Sequence, residues 1–432
     1  MAPLSVLMVA EKPSICTSIA QALTKGELRG RGRSPPVYDI ENGSFLQKPA
    51  FIRVTSVTGH IFSTDFPKAY QNWSAVDPFD LFSAPVERVP EGKGGMVKHL
   101  EREAKGFDAV CLWLDCDREG ENICFEVLRC IKKSMKKNFL IYRCKFSAVT
   151  PKDIYEALKK ENLRQPNENE SKSVEARQEL DLKVGVAFSR YQTRYFQGRY
   201  GDLDSAVISY GPCQTPTLGF CVERHDEIAS FKPENFWYLS GAVMNTKVTW
   251  QRSRLFDMEA CATFYHLVQQ DTLVTCSEVH RSEFKKSRPN PLNTVELLKT
   301  CSRSLGIGPA EAMRCAEQLY LSGYVSYPRT ESTAYPKSFD ILGAVATLKG
   351  CPLPGVADYV KDLLQQGYVK PKAGHDAGDH PPITPVGLAR DLAVGSSNHR
   401  VYDLIVRHFL ATISPDATCE KLKATFVSLP VS

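Results

Sequence analysis

Long apolar runs are missing from this sequence. No stretch approaches the roughly 20 apolar residues that a helix needs to cross a bilayer. The first apolar run, residues 6–10, has no basic segment before it and stops at Glu11 and Lys12, unlike a secretory signal peptide. We interpret this run as a β-strand, and we expect a soluble protein with no membrane partner.

Two short motifs that mark other protein classes are also absent. None of the 14 cysteines belongs to a Cys-x-x-Cys pair, which argues against a disulfide scaffold and against a structural zinc site. No GxxxxGK[ST] loop occurs, so we expect no P-loop ATP site. Lys and Arg exceed Asp and Glu by only 54 to 49, an excess that permits a polyanionic partner without demanding one.

What is present up to residue 150 is an alternation of strands and helices. Residues 6–10 and 109–114 are continuous apolar runs, each followed by a polar turn and then by apolar residues at helical spacing. Residues 51–57 give a further strand. Continuous apolar strands that alternate with helices are typical of a mostly parallel sheet covered on both faces. This pattern predicts an α/β domain over residues 1–150.

The remainder of the chain is mainly helical, with some strands. The polar stretch 165–171 is interpreted as a surface loop. Helices are predicted at 153–158, 173–196, 215–228 and within 290–335, and strands at 237–243, 248–250 and 424–432. The fold class predicted for the whole chain is multidomain α/β and α+β.

Carboxylates cluster after the strand at 109–114. Asp115, Asp117, Glu119 and Glu121 fall in one short turn, where their mutual repulsion favours a divalent cation, and oxygen ligands of this kind suit Mg²⁺. Glu11 and Lys12 end the first strand and would join this turn if the two strands are neighbours. The alternatives are an acidic helix N-terminus and an ordinary Glu-Lys surface pair.

Tyr327 precedes Pro328 and Arg329. A tyrosine, with an ordinary pKa of about 10, needs a nearby cation or metal to act as a nucleophile. Arg329 can supply that charge, and its guanidinium can hold a phosphate through two hydrogen bonds. The alternative for this segment alone is a tyrosine at a helix end before a proline turn.

These motifs together resemble a known family. The combination of Glu11 with Asp115, Asp117 and Glu119 resembles the Toprim domain, and residues 319–332 closely resemble the active-site segment of type IA topoisomerases. The resemblance extends over nearly the whole chain. Further specific motifs are residues 56–60, 176–181, 209–218 and 374–385, and the run 195–204 and Pro212-Cys213 are characteristic of one eukaryotic branch.

The resemblance implies a fold made of an N-terminal, Rossmann-like Toprim domain and the gate domains of type IA enzymes. The expected domains are Toprim at 1–150, an incomplete helical DNA-binding domain at 151–215, an incomplete arch at 216–280 and 400–432, and the tyrosine domain at 281–400. The resemblance ends within a strand of the arch, so the rest of that domain and the last part of the helical domain are missing from this sequence.

The resemblance also implies a reaction. Tyr327 would cut one DNA strand through a 5′-phosphotyrosine, and the strand would be resealed without ATP, relaxing negatively supercoiled DNA. Lys12 and Arg329 would stabilise the phosphate, and Glu11 would move the proton of the leaving oxygen. The expected ligands of Mg²⁺ are Glu11, Asp115, Asp117 and Glu119.

Further residues are expected to contact DNA by the same resemblance. They are His60, Arg177, Asp181, Ser209, Gln214, Thr215 and His375, with His375 near the tyrosine. Arg177 and Asp181 are four residues apart, so they lie on one helix face and could equally form a plain surface salt bridge. Tyrosines and arginines interleave over residues 190–200, a pattern that suits base stacking beside phosphate contacts, although half of these side chains could be core.

Two alternative functions remain open. A Toprim hydrolase or primase would use the same carboxylates without a protein-linked intermediate. A truncated nucleic-acid-binding protein would bind without turnover. By resemblance alone we expect single-stranded or negatively supercoiled DNA as substrate, RNA as a second substrate, a Tudor-domain scaffold as partner, and a nuclear location with a cytoplasmic pool.

Overall fold

Two units make up the fold. The computed structural model describes residues 4–24, 28–32, 35–201, 206–270, 274–337, 339–378 and 380–428. The first unit comprises Met1–Pro212 and Arg288–Pro415, and the second comprises Cys213–Ser287 and Asp416–Ser432. The helix Ser397–Thr412 therefore belongs to the first unit, whereas the arch was predicted to resume at residue 400. Its buried residues Val401, Ile405 and Phe409 join the core of that unit.

A six-stranded sheet forms the centre of the first unit. Its strands are β1 (Leu4–Ala10), β2 (Gly30–Arg31), β3 (Val37–Phe45), β4 (Lys48–Ser56), β7 (Ala109–Trp113) and β8 (Leu140–Arg143), while β5 (Phe62–Asp65) and β6 (Glu87–Pro90) form a separate pair. The order is β2-β3-β4-β1-β7-β8, parallel from β4 to β8. Ala10 lies opposite Trp113. The turns that follow β1 and β7 therefore lie side by side, as expected if these two strands are neighbours.

Helices cover both faces of this sheet. In the first unit they are α1 (Pro13–Leu23), α2 (Gly95–Glu103), α3 (Arg118–Ile131), α4 (Pro151–Ala157), α5 (Glu168–Phe196), α8 (Thr294–Thr300), α9 (Pro309–Leu321), α10 (Ile341–Thr347), α11 (Val356–Gln366) and α12 (Ser397–Thr412). Val6 and Met8 of β1 face α1, whereas Leu7 and Val9 face α2 and α3. This alternation follows from the two-residue period of a strand, and it explains why β1 is apolar throughout.

The core on the α1 side continues into the tyrosine-bearing helices. Trp113 of β7, Tyr320 of α9 and Tyr327 belong to one cluster of buried side chains. Tyr327 donates its backbone amide to the Ser147 carbonyl at 2.9 Å, which ties the segment after α9 to the Toprim domain. The two regions predicted as separate domains thus share a continuous core.

The helix α5 begins earlier than the sequence suggests. Residues 168–171 were predicted to be loop, but α5 starts at Glu168 because Asn167 caps it and accepts a hydrogen bond from the Asn169 amide at 3.1 Å. Glu168 and Glu170 in the first turn favour the helix dipole. The local charge pattern of a capped helix N-terminus therefore resembles that of a polar loop.

The second unit contains α6 (Gln214–Ser230), β9 (Ser240–Val243), β10 (Thr246–Thr249), α7 (Met258–Gln270), β11 (Val274–Lys286) and β12 (Ala417–Ser428). β11 and β12 pair antiparallel over their length. Residues 429–432 of the predicted last strand lie outside the described residues. None of the helices that the structure describes is long and apolar enough to pass through a bilayer.

A buried carboxylate links α2 to the sheet and gives a testable pH dependence. The Glu103 side chain is 1% exposed and contacts Arg31, Arg53 and Arg102. Burial alone would raise the pKa of Glu103, but the hydrogen bonds from Arg31 and Arg102 outweigh it and lower the pKa to about 2. Because the folded state binds the proton more weakly, this contribution to stability is present above the ordinary pKa of 4.5 and is lost as the pH falls toward 2.

Glu103→Gln should therefore lower the free energy of unfolding by about 3 kcal/mol at pH 7. Urea unfolding at pH 7, 5 and 3.5 should show a constant difference from the unmodified chain down to pH 5 and a smaller one at pH 3.5. Glu101→Gln on the exposed face of the same helix should have little effect at any of these pH values. A difference between the Glu103 variant and the unmodified chain that does not shrink in acid would contradict the assignment.

Candidate active site

The acidic turn after β7 has a tightly closed backbone. Asp117 caps α3, because its Oδ1 accepts a hydrogen bond from the Gly120 amide at 2.8 Å. A Cβ atom at position 120 would lie 1.9 Å from the Asp115 carbonyl oxygen, so the turn can close in this way only with glycine there. The closed backbone of this turn fixes the positions from which the side chains of Asp115, Asp117 and Glu119 extend.

The ends of β1 and β7 bring Glu11, Lys12 and Asp115 together. Glu11 Oε2 accepts a hydrogen bond from the Asp115 amide at 2.8 Å, and Lys12 Nζ lies 3.0 Å from Asp115 Oδ2 and 3.8 Å from Glu11 Oε1. Burial, and then the charge of Asp115, raise the pKa of Glu11 to about 7. Burial acts to lower the pKa of Lys12, but Asp115 and Glu11 outweigh it and raise it. Glu11 can therefore gain or lose a proton near neutral pH.

Tyr327 lies against this cluster. The residue is 4% exposed, and its hydroxyl donates to Asp117 Oδ2 at 2.6 Å across 210 residues of sequence. Burial, and then the charges of Asp115 and Asp117, raise the pKa of Tyr327 far above its usual range. In this arrangement the tyrosine is a protonated hydrogen-bond donor, so its activation requires a cation close to the hydroxyl.

Arg329 is held by a residue that the sequence did not single out. Its Nε and Nη2 lie 3.0 and 2.5 Å from Glu317 Oε1 on α9. Burial acts to lower the pKa of Arg329, but the hydrogen bond to Glu317 and the charge of Glu317 outweigh it and raise it. The contact that the structure shows for the Arg329 side chain is thus with Glu317, and the role of Arg329 in stabilising the phosphate stays a prediction.

Tyr320 is a second tyrosine in the cluster. It is 1% exposed, its hydroxyl lies 3.3 Å from Asp115 Oδ1, and its ring meets that of Tyr327 edge to face with centroids 5.2 Å apart. Sequence reasoning missed it because Tyr320 follows Leu319 on the apolar face of α9 and is indistinguishable from core by spacing. The contact with Asp115 gives this core position a polar partner in the site.

The histidine that contacts Tyr327 is His380. The ring centroids of His380 and Tyr327 are 4.3 Å apart, and His380 is 4% exposed. His375, which was predicted near the tyrosine, is exposed and exchanges two hydrogen bonds with Thr333 through its backbone, at 2.7 and 2.9 Å. Both histidines belong to the motif 374–385, of which residue 379 lies outside the described residues, and its sequence alone does not distinguish them.

His60 positions a carboxylate of the acidic turn. Its Nε2 lies 3.1 Å from Glu119 and its Nδ1 lies 3.0 Å from Glu126. The hydrogen bonds to Glu119 and then Glu126 raise the pKa of His60 to about 10, so the ring is positively charged at neutral pH. Arg177 Nη2 approaches Glu119 more closely, at 2.7 Å, than its Nη1 approaches Asp181, at 4.0 Å. The side chains of His60 and Arg177 thus both contact Glu119 of the acidic turn. Their contacts with DNA stay predictions.

Three of the predicted DNA contacts remain, Ser209, Gln214 and Thr215. Ser209 is exposed and follows Ile208, whose amide bonds to Thr193 of α5 at 2.9 Å. Gln214 and Thr215 begin α6 in the second unit, as expected of a helix-opening motif. Residues 202–204 of the branch-specific run 195–204 lie outside the described residues.

Comparisons with known proteins agree with this geometry. The family profile described as Toprim domain matches residues 6–149, and the one described as DNA topoisomerase matches residues 165–430. The chain belongs to the type IA DNA topoisomerase family. The acidic cluster thus lies in the Toprim match and Tyr327 in the topoisomerase match.

Similar relatives carry the name of one branch. The chain is 52% identical to DNA topoisomerase 3-beta of Oryza sativa subsp. japonica, over 99% of this chain and 49% of the relative. It is 48% identical to human DNA topoisomerase 3-beta-1, over 98% of this chain and 50% of the relative. The chain therefore spans about half the length of these curated relatives. Full-length topoisomerase I from Thermotoga maritima shares the fold with a TM-score of 0.63 at 21% identity, over 97% of this chain and 63% of that one.

A buried ion pair supports the acidic turn of this family member. The Arg143 side chain is 0% exposed, and its Nε donates to Glu121 Oε1 at 2.8 Å. The same guanidinium donates to the carbonyl oxygens of Leu114 at 2.7 Å and Asp115 at 2.8 Å. Glu121 Oε2 also accepts from the Asn167 amide at 2.9 Å, so one ion pair joins β8, the acidic turn and the start of α5. In the sequence, Arg143 is recognisable only as an arginine at the end of a short apolar strand, and nothing there indicates its ion pair with Glu121.

The donor set of the acidic turn fits a hard divalent cation. Glu11 and Asp115 are joined through the Asp115 amide, and Asp117 caps α3, which begins at Arg118. Among the described residues no three such side chains surround one point as metal ligands. Lys12 contacts Asp115 Oδ2, and Tyr327 contacts Asp117 Oδ2. Toprim domains bind metal, and the chemistry of these oxygens agrees with that.

Proposed function

We propose that the chain is an isomerase that cuts one strand of DNA with Tyr327 and reseals it after another strand has passed. The observation that carries the proposal is the contact of 2.6 Å between the Tyr327 hydroxyl and Asp117. A nucleophile held against the carboxylates of a Toprim domain suits phosphoryl transfer. The supercoiling energy of the DNA drives the net reaction, so no ATP is required.

The described side chains can account for every proton. The Tyr327 oxygen attacks phosphorus while its proton passes to Asp117, to which it is already hydrogen bonded. The bond from phosphorus to the 3′-oxygen breaks, and Glu11, whose pKa is raised to about 7, gives that oxygen a proton. Lys12 and Arg329 stabilise the negative charge on the phosphate. Resealing reverses these steps.

Mg²⁺ is the cofactor that we propose. When bound, it supplies positive charge that stabilises the transferred phosphate and the 3′-oxygen. Asp115, Asp117 and Glu119 would hold it, with Glu11 as a further ligand. The proposal rests on the donor set of the acidic turn, which consists of the carboxylate oxygens that Mg²⁺ prefers.

The test is to trap the covalent intermediate. The protein is incubated with a single-stranded oligonucleotide labelled at its 3′ end, and denaturant is then added. A 5′-phosphotyrosine keeps the 3′ fragment on the protein, so label should comigrate with the protein, and a 5′ label should not. Cleavage without attached label would instead favour the Toprim hydrolase, and binding without cleavage would favour the truncated binding protein.

Metal binding gives an independent prediction. Mn²⁺, followed by electron paramagnetic resonance, should bind to the purified chain, and Asp117→Asn should weaken it by about tenfold or more. The matched control is Asp108→Asn at the opposite end of β7, where the carboxylate bonds to Ser5 and Lys136. Equal Mn²⁺ affinities of the two variants would argue against a site in the acidic turn.

The preferred substrate and partners complete the proposal. Single-stranded or negatively supercoiled DNA is the proposed substrate, and RNA, a Tudor-domain scaffold and a nuclear location rest on family resemblance alone. Competition of unlabelled DNA and RNA of one sequence in the trapping assay will rank the two nucleic acids. Relaxation of negatively supercoiled plasmid will show whether this length of chain completes strand passage.

A further inference from the structure

Glu317 holds one of the two cations proposed to bind the substrate phosphate. One oxygen, Oε1, takes both the Nε of Arg329 at 3.0 Å and the Nη2 at 2.5 Å. The charge of Glu317 also contributes to raising the pKa of Lys12. Glu317 therefore acts on both Arg329 and Lys12 from α9, at the edge of the cluster that contains Tyr327.

This arrangement resembles that of a bound phosphate. A phosphate oxygen binds a guanidinium through the same N–H donors that a carboxylate oxygen uses. From this we infer that Glu317 occupies, on Arg329, the place that the substrate phosphate takes, and that the carboxylate is displaced when a strand binds. The inference rests on the proposed function, because it assumes that Arg329 receives the phosphate.

Because the ion pair of Arg329 and Glu317 is partly exposed, displacing Glu317 requires little free energy. The Arg329 and Glu317 side chains are 59% and 34% exposed, and an exposed ion pair of this kind contributes little to stability. The pair of Arg143 and Glu121, at 0% and 2% exposure, shows by contrast what a permanent structural pair in this protein looks like. Glu317 is thus a competitor for Arg329 rather than a part of the core.

Glu317 also adds to the negative charge that a strand must approach. Asp117 contacts the tyrosine, Glu11 and Asp115 lie in the same acidic cluster, and the partly exposed Glu317 adds a further negative charge. Its carboxylate should weaken nucleic-acid binding in two ways, by occupying Arg329 and by repelling the phosphate. Once released, it should also take up a cation, which reduces the net release of counterions on binding.

The experiment measures binding without cleavage. In a Tyr327→Phe background, Glu317→Gln should lower the Kd for a single-stranded oligonucleotide by about 2- to 5-fold. The plot of log Kd against log salt should become steeper by up to about 0.7. An unchanged or higher Kd would overturn the inference.

Two controls separate competition from general charge and from structure. Glu296→Gln on α8 removes the same charge from a residue that pairs with Lys299 at 3.2 Å and should leave Kd unchanged. In an Arg329→Ala background the gain from Glu317→Gln should shrink, because only the repulsion between Glu317 and the phosphate is then removed, and an equal gain in both backgrounds would refute the inference. Because binding is measured without Tyr327, this result does not depend on whether the covalent adduct forms.

Discussion

Tyr327→Phe should eliminate the covalent adduct with labelled oligonucleotide while oligonucleotide binding remains. The substitution removes one oxygen, which is the only atom of the side chain that can form a bond to phosphorus. The ring stays, so its contacts with Tyr320 and His380, at centroid distances of 5.2 and 4.3 Å, are preserved. Loss of the adduct with retained binding would therefore identify the nucleophile rather than a folding defect.

Tyr324→Phe is the matched control. Tyr324 lies three residues before Tyr327, and its hydroxyl bonds to Asp391 rather than to the acidic cluster. This variant should form the adduct at close to the normal level. An adduct that survives Tyr327→Phe would refute the proposed mechanism, and its loss in both variants would show that the assay reports stability. Mass spectrometry of the labelled peptide would settle the attachment site independently.

Arg143→Ala should lower the free energy of unfolding by about 3–5 kcal/mol, the usual result of removing one partner of a buried ion pair. Glu121 would remain as an unpaired charge at 2% exposure, and the carbonyl oxygens of Leu114 and Asp115 would lose their donor. Because these carbonyls shape the acidic turn, we also expect weaker Mn²⁺ binding. Urea unfolding measures the loss of stability, and a Mn²⁺ titration followed by electron paramagnetic resonance measures the change in metal affinity.

A double substitution tests the cause of this loss. Arg143→Met with Glu121→Gln removes both charges, so it should be less destabilising than Arg143→Ala alone. Arg129→Ala is the surface control, since Arg129 is half-exposed and lies 3.6 Å from Glu175. If the double variant is no more stable than the single one, packing rather than the unpaired charge would explain the effect.

The acidic half of the site could be predicted from the sequence for a simple reason. Continuous apolar strands at 6–10 and 109–114 indicate parallel neighbours, and parallel neighbours bring their carboxyl ends to one edge. The observed pairing of Ala10 with Trp113 places Glu11 beside Asp115 in that way. Tyr327 required the family resemblance, because no local pattern states which residues meet across 210 positions.

The partners of these residues could not be predicted from the sequence. Tyr320 occupies a core position on α9, Arg143 ends an apolar strand, and Glu317 is one of many helical glutamates. Each acquires its role only through a contact with a distant segment, as in the hydrogen bonds from Arg143 to Glu121 and from Arg329 to Glu317. His380 illustrates the same limit, because only packing distinguishes it from His375 within one motif.

The near-complete burial of Tyr327 has a kinetic consequence. At 4% exposure, its oxygen cannot meet a phosphodiester until the side chains packed around its ring move apart and the site opens. Apparent affinity for a reactive strand is then the intrinsic affinity multiplied by the fraction of molecules in the open form. If the proposed function holds, the free protein is latent toward the nucleic acid that it meets, and only a strand that binds tightly enough to stabilise the open form becomes a substrate.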